Sequence, residues 1–158
     1  ENYIEAAALA AENDEKARCY YGCGLIYSGL EKYGDAAVAF DSAVVLNPGN
    51  GEYLTGRGFA RLRGGDTVRA AGDFRKVVSM ADEEEGVDDA RALYGLACVE
   101  ASQGEREKAL DLLKRAAGSG FSDLGMVKSD DCMSPLRDSG RYEDIMLEIF
   151  RNSKQETR

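Results

Sequence analysis

The chain has 158 residues, 44% hydrophobic and 31% charged with only two prolines, which suits one ordered, helix-rich folding unit rather than two cores or a disordered tract. Its net charge of −9 repels nucleic-acid phosphates, even though Arg57, Arg61, Arg63, Arg69, Arg75 and Lys76 form a basic stretch within it. No apolar run reaches the roughly 18 residues of a membrane-spanning helix, and the lack of histidine removes the commonest side chain of acid–base and zinc chemistry.

The opening segment, Tyr3 to Glu12, is rich in strong helix formers, and Asn13-Asp14 predicts a stop before a new start. Residues 1–14 thus read as the second helix of a hairpin whose first helix is expected upstream of Glu1. Helices follow over Glu15–Gly29 and Gly34–Leu46, the latter ended by Asn47-Pro48-Gly49-Asn50, because proline cannot continue the hydrogen-bond ladder. The next pair is expected over Glu52–Arg63 and Thr67–Met80, separated by Gly64-Gly65-Asp66, whose glycines permit the positive φ of a tight turn.

The acidic run Asp82-Glu83-Glu84-Glu85 with Asp88-Asp89 lacks the ligand spacing of a calcium loop and reads as a solvated insertion. A third pair is expected within Asp88–Gly118, turning at Gly104-Glu105. Gly118 to Asp123 then break the helix, and Pro135 forbids a long helix before Ser139. An amphipathic pattern resumes over Arg141–Arg151, and Asn152 to Arg158 are expected to fray.

One frame recurs through these pairs. It begins as Tyr20-x2-Cys23-Gly24-x2-Tyr27, Ala36-x3-Phe40 and Ala43, with Pro48 behind it. It returns thirty-four positions on as Leu54-x2-Arg57-Gly58, Ala70-x3-Phe74 and Val77, then thirty-nine positions further as Leu93-x2-Leu96-Ala97, Ala109-x3-Leu113 and Ala116. Small residues at Gly24, Gly58 and Ala97, and at Ala36, Ala70 and Ala109, permit close helix approach, while Phe40, Phe74 and Leu113 supply bulk.

This frame resembles the tetratricopeptide (TPR) repeat over about four fifths of the chain, and the segment from Leu113 through Asp123, Pro135 and Tyr142 resembles the closing cap of bacterial and organellar TPR proteins. The second repeat departs most, with Arg57 and Arg61 where the pattern has leucine and tyrosine. The resemblance implies an all-α, TPR-like helical-hairpin solenoid of about three repeats. Its parts are residues 1–14, repeats at 15–50, 51–85 and 86–118, a cap at 119–152 with Tyr142 and Ile145 against Leu112 and Leu113, and a tail at 153–158.

No catalytic frame is recognisable. Gly22-Cys23-Gly24 and Gly56-Arg57-Gly58 do not continue as a phosphate loop and read as packing glycines. Arg57, Arg61 and Arg63 read as a solvated face rather than an anion clamp. Cys19 and Cys23 lie one helical turn apart with Cys23 at a packing position, while Cys98 and Cys132 are isolated, so reduced thiols, no metal site and no cofactor are expected.

In the resembled fold the first helix of each repeat lines a concave groove. By position this implies Arg18, Tyr21, Leu25 and Ser28 from the first repeat, Thr55, Phe59, Leu62 and Arg63 from the second, and Arg91, Tyr94 and Cys98 from the third. Ala101 also falls in that frame. Such a groove is apolar and aromatic, suited to a helical or extended protein segment with acidic flanks rather than to a carboxylate clamp.

The expected role is therefore a non-enzymatic adaptor or assembly subunit of a larger complex, with an unnamed protein partner and no nucleic acid. A regulatory or targeting module of a longer enzyme, or a self-associating repeat protein, are the alternatives. Free thiols point to the cytoplasm or an organelle interior, with import after N-terminal processing left open.

Overall fold

The computed structural model describes the backbone of residues 2–83 and 89–155, and the side chains of 9–82 and 89–155. Among these residues every regular element is helical: α1 Asn2–Gly29, α2 Tyr33–Leu46, α3 Gly51–Arg63, α4 Thr67–Glu83, α5 Ala90–Ser102, α6 Arg106–Gly118, α7 Leu124–Ser129, a 3₁₀ helix Asp131–Leu136, and α8 Gly140–Gln155. Consecutive helices pair as hairpins, α1 with α2 and α5 with α6, and the fold is an all-α helical-hairpin arrangement. Contacts divide the chain into two compact units, Glu1–Asp73 and Phe74–Arg158, the division falling inside α4.

The turns follow the residues that demand them. Asn50 caps α3 by accepting the Tyr53 N–H at 3.0 Å, which satisfies one of the amides a helix start leaves open. Gly65 has φ +87° between α3 and α4, and Gly104 has φ +81° between α5 and α6, values at which a side chain would be strained. The predicted stop at Asn13-Asp14 does not occur, and α1 runs straight through it. Neither residue breaks a helix when its side chain faces solvent, and an ion pair between Glu12 and Lys16, 2.7 Å long, spans the position.

In the first unit α2 carries Ala36, Ala39, Phe40, Ala43 and Val44 into the core, and α1 and α2 both pack on α3. The Phe40 ring fills the space left by two glycines. A Cβ on Gly24 would stand 2.5 Å from that ring, and one on Gly56 would stand 3.0 Å from it. Gly22, by contrast, has nothing within 4 Å and is no packing glycine.

In the second unit the Phe74 ring lies where a Cβ on Gly95 would be. Helix α5 is buried at ten of its thirteen positions, because α6 covers one side and the 3₁₀ helix folds back on another. Met133 and Leu136 of that short helix are fully buried, and Tyr142, Ile145 and Ile149 bury the inner face of α8, which packs on α6. Arg141 pairs with Asp111 at 2.5 Å and also with Glu107, fastening the start of α8 to α6.

The expected frayed tail is corrected at its near end. Helix α8 continues to Gln155, and Asn152 donates to the carbonyls of Ala117 (2.8 Å) and Phe121 (3.1 Å), tying α8 to the end of α6 and the turn that follows it. Residues 156–158 lie outside the described residues.

Candidate functional site

The predicted groove residues of the first unit come from two neighbouring helices. Arg18, Tyr21, Leu25 and Ser28 recur at helical spacing on α1, which packs against α3, the carrier of Phe59, Leu62 and Arg63. Arg18, Leu25 and Arg63 are exposed, and Tyr21, Ser28, Phe59 and Leu62 are half-buried. This leaves apolar surface at Leu25, Phe59 and Leu62 partly open to solvent, with arginines at Arg18 and Arg63.

Tyr21 is the best-held member of the set. Its ring packs on Phe40 (centroids 5.4 Å apart) and Tyr53 (5.0 Å), and its hydroxyl donates to Glu52 at 2.9 Å. Beside it opens a cleft of about 480 Å³ bounded by Asp14, Arg18, Tyr21, Asn47, Asn50, Glu52 and Tyr53. Asn47 donates to Asp14 across one wall at 3.4 Å. Burial pushes the Tyr53 phenol pKa up; the charge of Arg18 opposes this, and Glu52 and Asp14 reinforce it. Tyr53 is therefore a neutral hydroxyl at physiological pH.

Three predicted groove residues are not open. Thr55 is 5% exposed, because α1 and α2 both pack on α3 and leave consecutive Tyr53, Leu54 and Thr55 buried. Tyr94 is fully buried: its ring stacks on Phe121 (4.8 Å, 8°) and its hydroxyl donates to Asp130 at 2.8 Å. Cys98 is 1% exposed and bonded to Cys132. Ala101 is buried as well, so on α5 only Arg91 of the predicted set is exposed. The returning 3₁₀ segment occupies the side of α5 on which these residues were expected to meet a ligand.

The basic stretch is also corrected. Arg57 holds Asp73 with two bonds (3.1 and 2.6 Å) and Asp41 with one (2.8 Å), while Arg61 reaches Asp73 at 2.7 Å and Asp41 at 2.9 Å. Burial works against the Arg57 charge, but hydrogen bonds and charge from Asp73 and Asp41 outweigh it and raise the guanidinium pKa. Both arginines are thus engaged by carboxylates, and the two departures from the repeat pattern in the second frame belong to one four-residue network. The signal was in the sequence, since Asp41 and Asp73 directly flank Phe40 and Phe74.

Cys23 is exposed rather than packed, as is Cys19, and both are free thiols. No neighbouring helix among the described residues covers that side of α1, where Tyr20, Ile26, Tyr27 and Leu30 are exposed too. Of the acidic run, Glu84 to Asp88 lie outside the described residues; Asp82 is exposed, and Asp89 precedes α5 without a side-chain capping bond. No described helix is long and apolar enough to cross a membrane. No protein-family model matches the chain, and no curated protein matches it.

Proposed function

We propose that the chain is a non-enzymatic protein-binding scaffold of the tetratricopeptide kind, an adaptor or assembly subunit of a larger complex. Its ligand is a helical or extended protein segment with apolar anchors and acidic flanks. The reading rests most on the face shared by α1 and α3, where Tyr21, Leu25, Phe59 and Leu62 offer partly open apolar surface beside the arginines Arg18 and Arg63. Aromatic anchors and arginines are the side chains that most often carry binding energy at protein interfaces. The absence of a recognisable catalytic frame in the sequence and the recurring hairpin frame support the same role.

Selection from a random peptide library tests this. Enriched peptides are expected to combine aromatic or aliphatic residues with Asp or Glu, and to lose at least about tenfold in affinity on Phe59→Ala or Tyr21→Ala, the size of a moderate hot spot. Peptides that bind both variants as tightly as the parent would remove this face from the proposal.

One observation favours a second reading, self-association. The exposed stripe Tyr20, Cys23, Ile26, Tyr27 and Leu30 on α1 is larger than scattered surface apolar residues and is a candidate for pairing with a second copy. Sedimentation at rising concentration distinguishes the two, because a mass that stays monomeric eliminates the stripe as a self-interface.

A further inference from the structure

One side of α1 has no covering helix among the described residues, and Tyr20, Cys23, Ile26, Tyr27 and Leu30 stand exposed along it. Their steps of three and four residues place them in one stripe on the helix rather than at scattered positions. Ile26 and Leu30 are 65% and 61% exposed, so most of each aliphatic side chain is available for burial. We propose that this stripe pairs with the same stripe of a second copy, the two α1 helices running antiparallel about a twofold axis that passes between Cys23 and Gly24. This pairing rests on the self-association reading given above and adds its direction and register.

Charge selects both the occupant and its direction. Glu15-Lys16 near one end of the stripe and Glu31-Lys32 at the other repeat one ordered pair of charges, and all four side chains are exposed. Run antiparallel about the stated axis, Glu15 comes level with Lys32 of the second copy and Lys16 with Glu31, and the twofold repeats both contacts. A twofold interface needs this self-complementarity, because one patch serves as both partners. Run parallel, every one of these groups would face its own counterpart, like charge on like. Exposed ion pairs add little affinity singly, but opposed like charges penalise the wrong direction. Lys16 already meets Glu12 on its own helix at 2.7 Å, and its ammonium has three donors to share.

The same axis brings Tyr20 of one copy level with Tyr27 of the other, and it sets the two cysteines apart. With a rise of about 1.5 Å per residue, the two Cys23 positions lie within about 1.5 Å of one level, whereas the two Cys19 positions are separated by about 13–14 Å along the helices. Packed helices have axes about 8–10 Å apart and Cα atoms on cylinders of radius about 2.3 Å. Facing Cα atoms therefore come to about 4–6 Å, which overlaps the roughly 4.4–6.8 Å that a disulfide spans. Cys23 can join its copy across the axis, and Cys19 cannot.

The test uses the full chain. Sedimentation equilibrium under reducing conditions is expected to show the mass of two copies at raised concentration. Oxidised glutathione is then added; two Cys23 thiols give up two protons and two electrons to it, forming one bond between copies and releasing two molecules of glutathione thiol. The parent and Cys19→Ser should give a covalent dimer on a non-reducing gel, and Cys23→Ser should not. Adding Leu30→Asp to Cys19→Ser should abolish the link by removing the apolar contact, with helix content checked by circular dichroism. Lys16→Glu should weaken the dimer about tenfold, and Lys16→Glu with Glu31→Lys should restore it, because the exchange rebuilds the same pairs.

A mass that stays monomeric overturns both this pairing and self-association through the stripe. A dimer linked through Cys19 as readily as through Cys23, a dimer linked through neither, or a charge exchange that restores nothing overturns the antiparallel register and leaves self-association standing. Peptide capture by the face of α1 and α3 is read separately and does not depend on either result.

Discussion

The Tyr94 hydroxyl donates to the Asp130 carboxylate at 2.8 Å across 36 residues, joining the buried centre of α5 to the turn that precedes the 3₁₀ helix. The bond explains why an aromatic residue placed by its sequence position on a ligand-binding face is instead part of the interior. Tyr94→Phe keeps the stack on Phe121 and deletes only the hydroxyl. It should destabilise the fold by about 1.5–3 kcal/mol, the range for a hydrogen bond to a charged group, measured as a lowered midpoint in urea with unchanged slope.

The Arg57–Arg61–Asp41–Asp73 network separates its two carboxylates by exposure. The Asp73 side chain is 6% exposed and accepts from both arginines, whereas Asp41 is 46% exposed. Removing one partner of a buried pair costs about 3–5 kcal/mol, while a solvent-screened pair is worth about 0–1 kcal/mol. Asp73→Ala should therefore destabilise several times more than Asp41→Ala in the same denaturation experiment. Equal losses would mean that the network is held by solvent-screened attraction alone.

Two glycines two residues apart on α1 should respond in opposite directions. Gly24→Ala forces its methyl onto the Phe40 ring and should cost about 1–3 kcal/mol, reduced by the helix propensity gained. Gly22→Ala meets nothing within 4 Å and should stabilise by about 0.5–1 kcal/mol. Thermal melts of the two variants against the parent decide the matter.

The raised pKa of Tyr53 predicts alkaline behaviour. The folded state holds the phenol proton more tightly than the unfolded chain, whose tyrosines titrate near 10. The corresponding stability is fully present below that value and is lost as pH rises through the folded-state pKa. Spectrophotometric titration should show a late-ionising component, and Tyr53→Phe should reduce it by one tyrosine.

Local signals made the helices legible, and non-local ones were missed. The turns at Asn47–Asn50, Gly64–Asp66 and Gly104, and the Ala-x3-Phe elements that bury Ala36 with Phe40 and Ala70 with Phe74, depend on residues close in sequence and could be read directly. The stop at Asn13-Asp14 was misread because those residues only weaken a helix, and α1 passes through them. Arg57 and Arg61 looked like departures because their partners Asp41 and Asp73 lie on the helices before and after α3. Cys98 and Cys132 looked isolated because their meeting depends on the chain folding back over α5. One clue to the burial of Tyr94 was available: from Ala92 to Val99 the sequence is apolar or glycine throughout, which marks a helix buried on all sides rather than one with an open face.

The face formed by α1 and α3 is tested most directly by placing a photoreactive amino acid at Leu25, at Leu62 or, as a control on exposed surface of α2, at Val45, and irradiating the native extract. A common partner captured from Leu25 and Leu62, absent from Val45 and lost when Phe59→Ala is added, is the predicted result. Capture from Val45 as strong as from the other two, or no capture from Leu25 and Leu62, would contradict it.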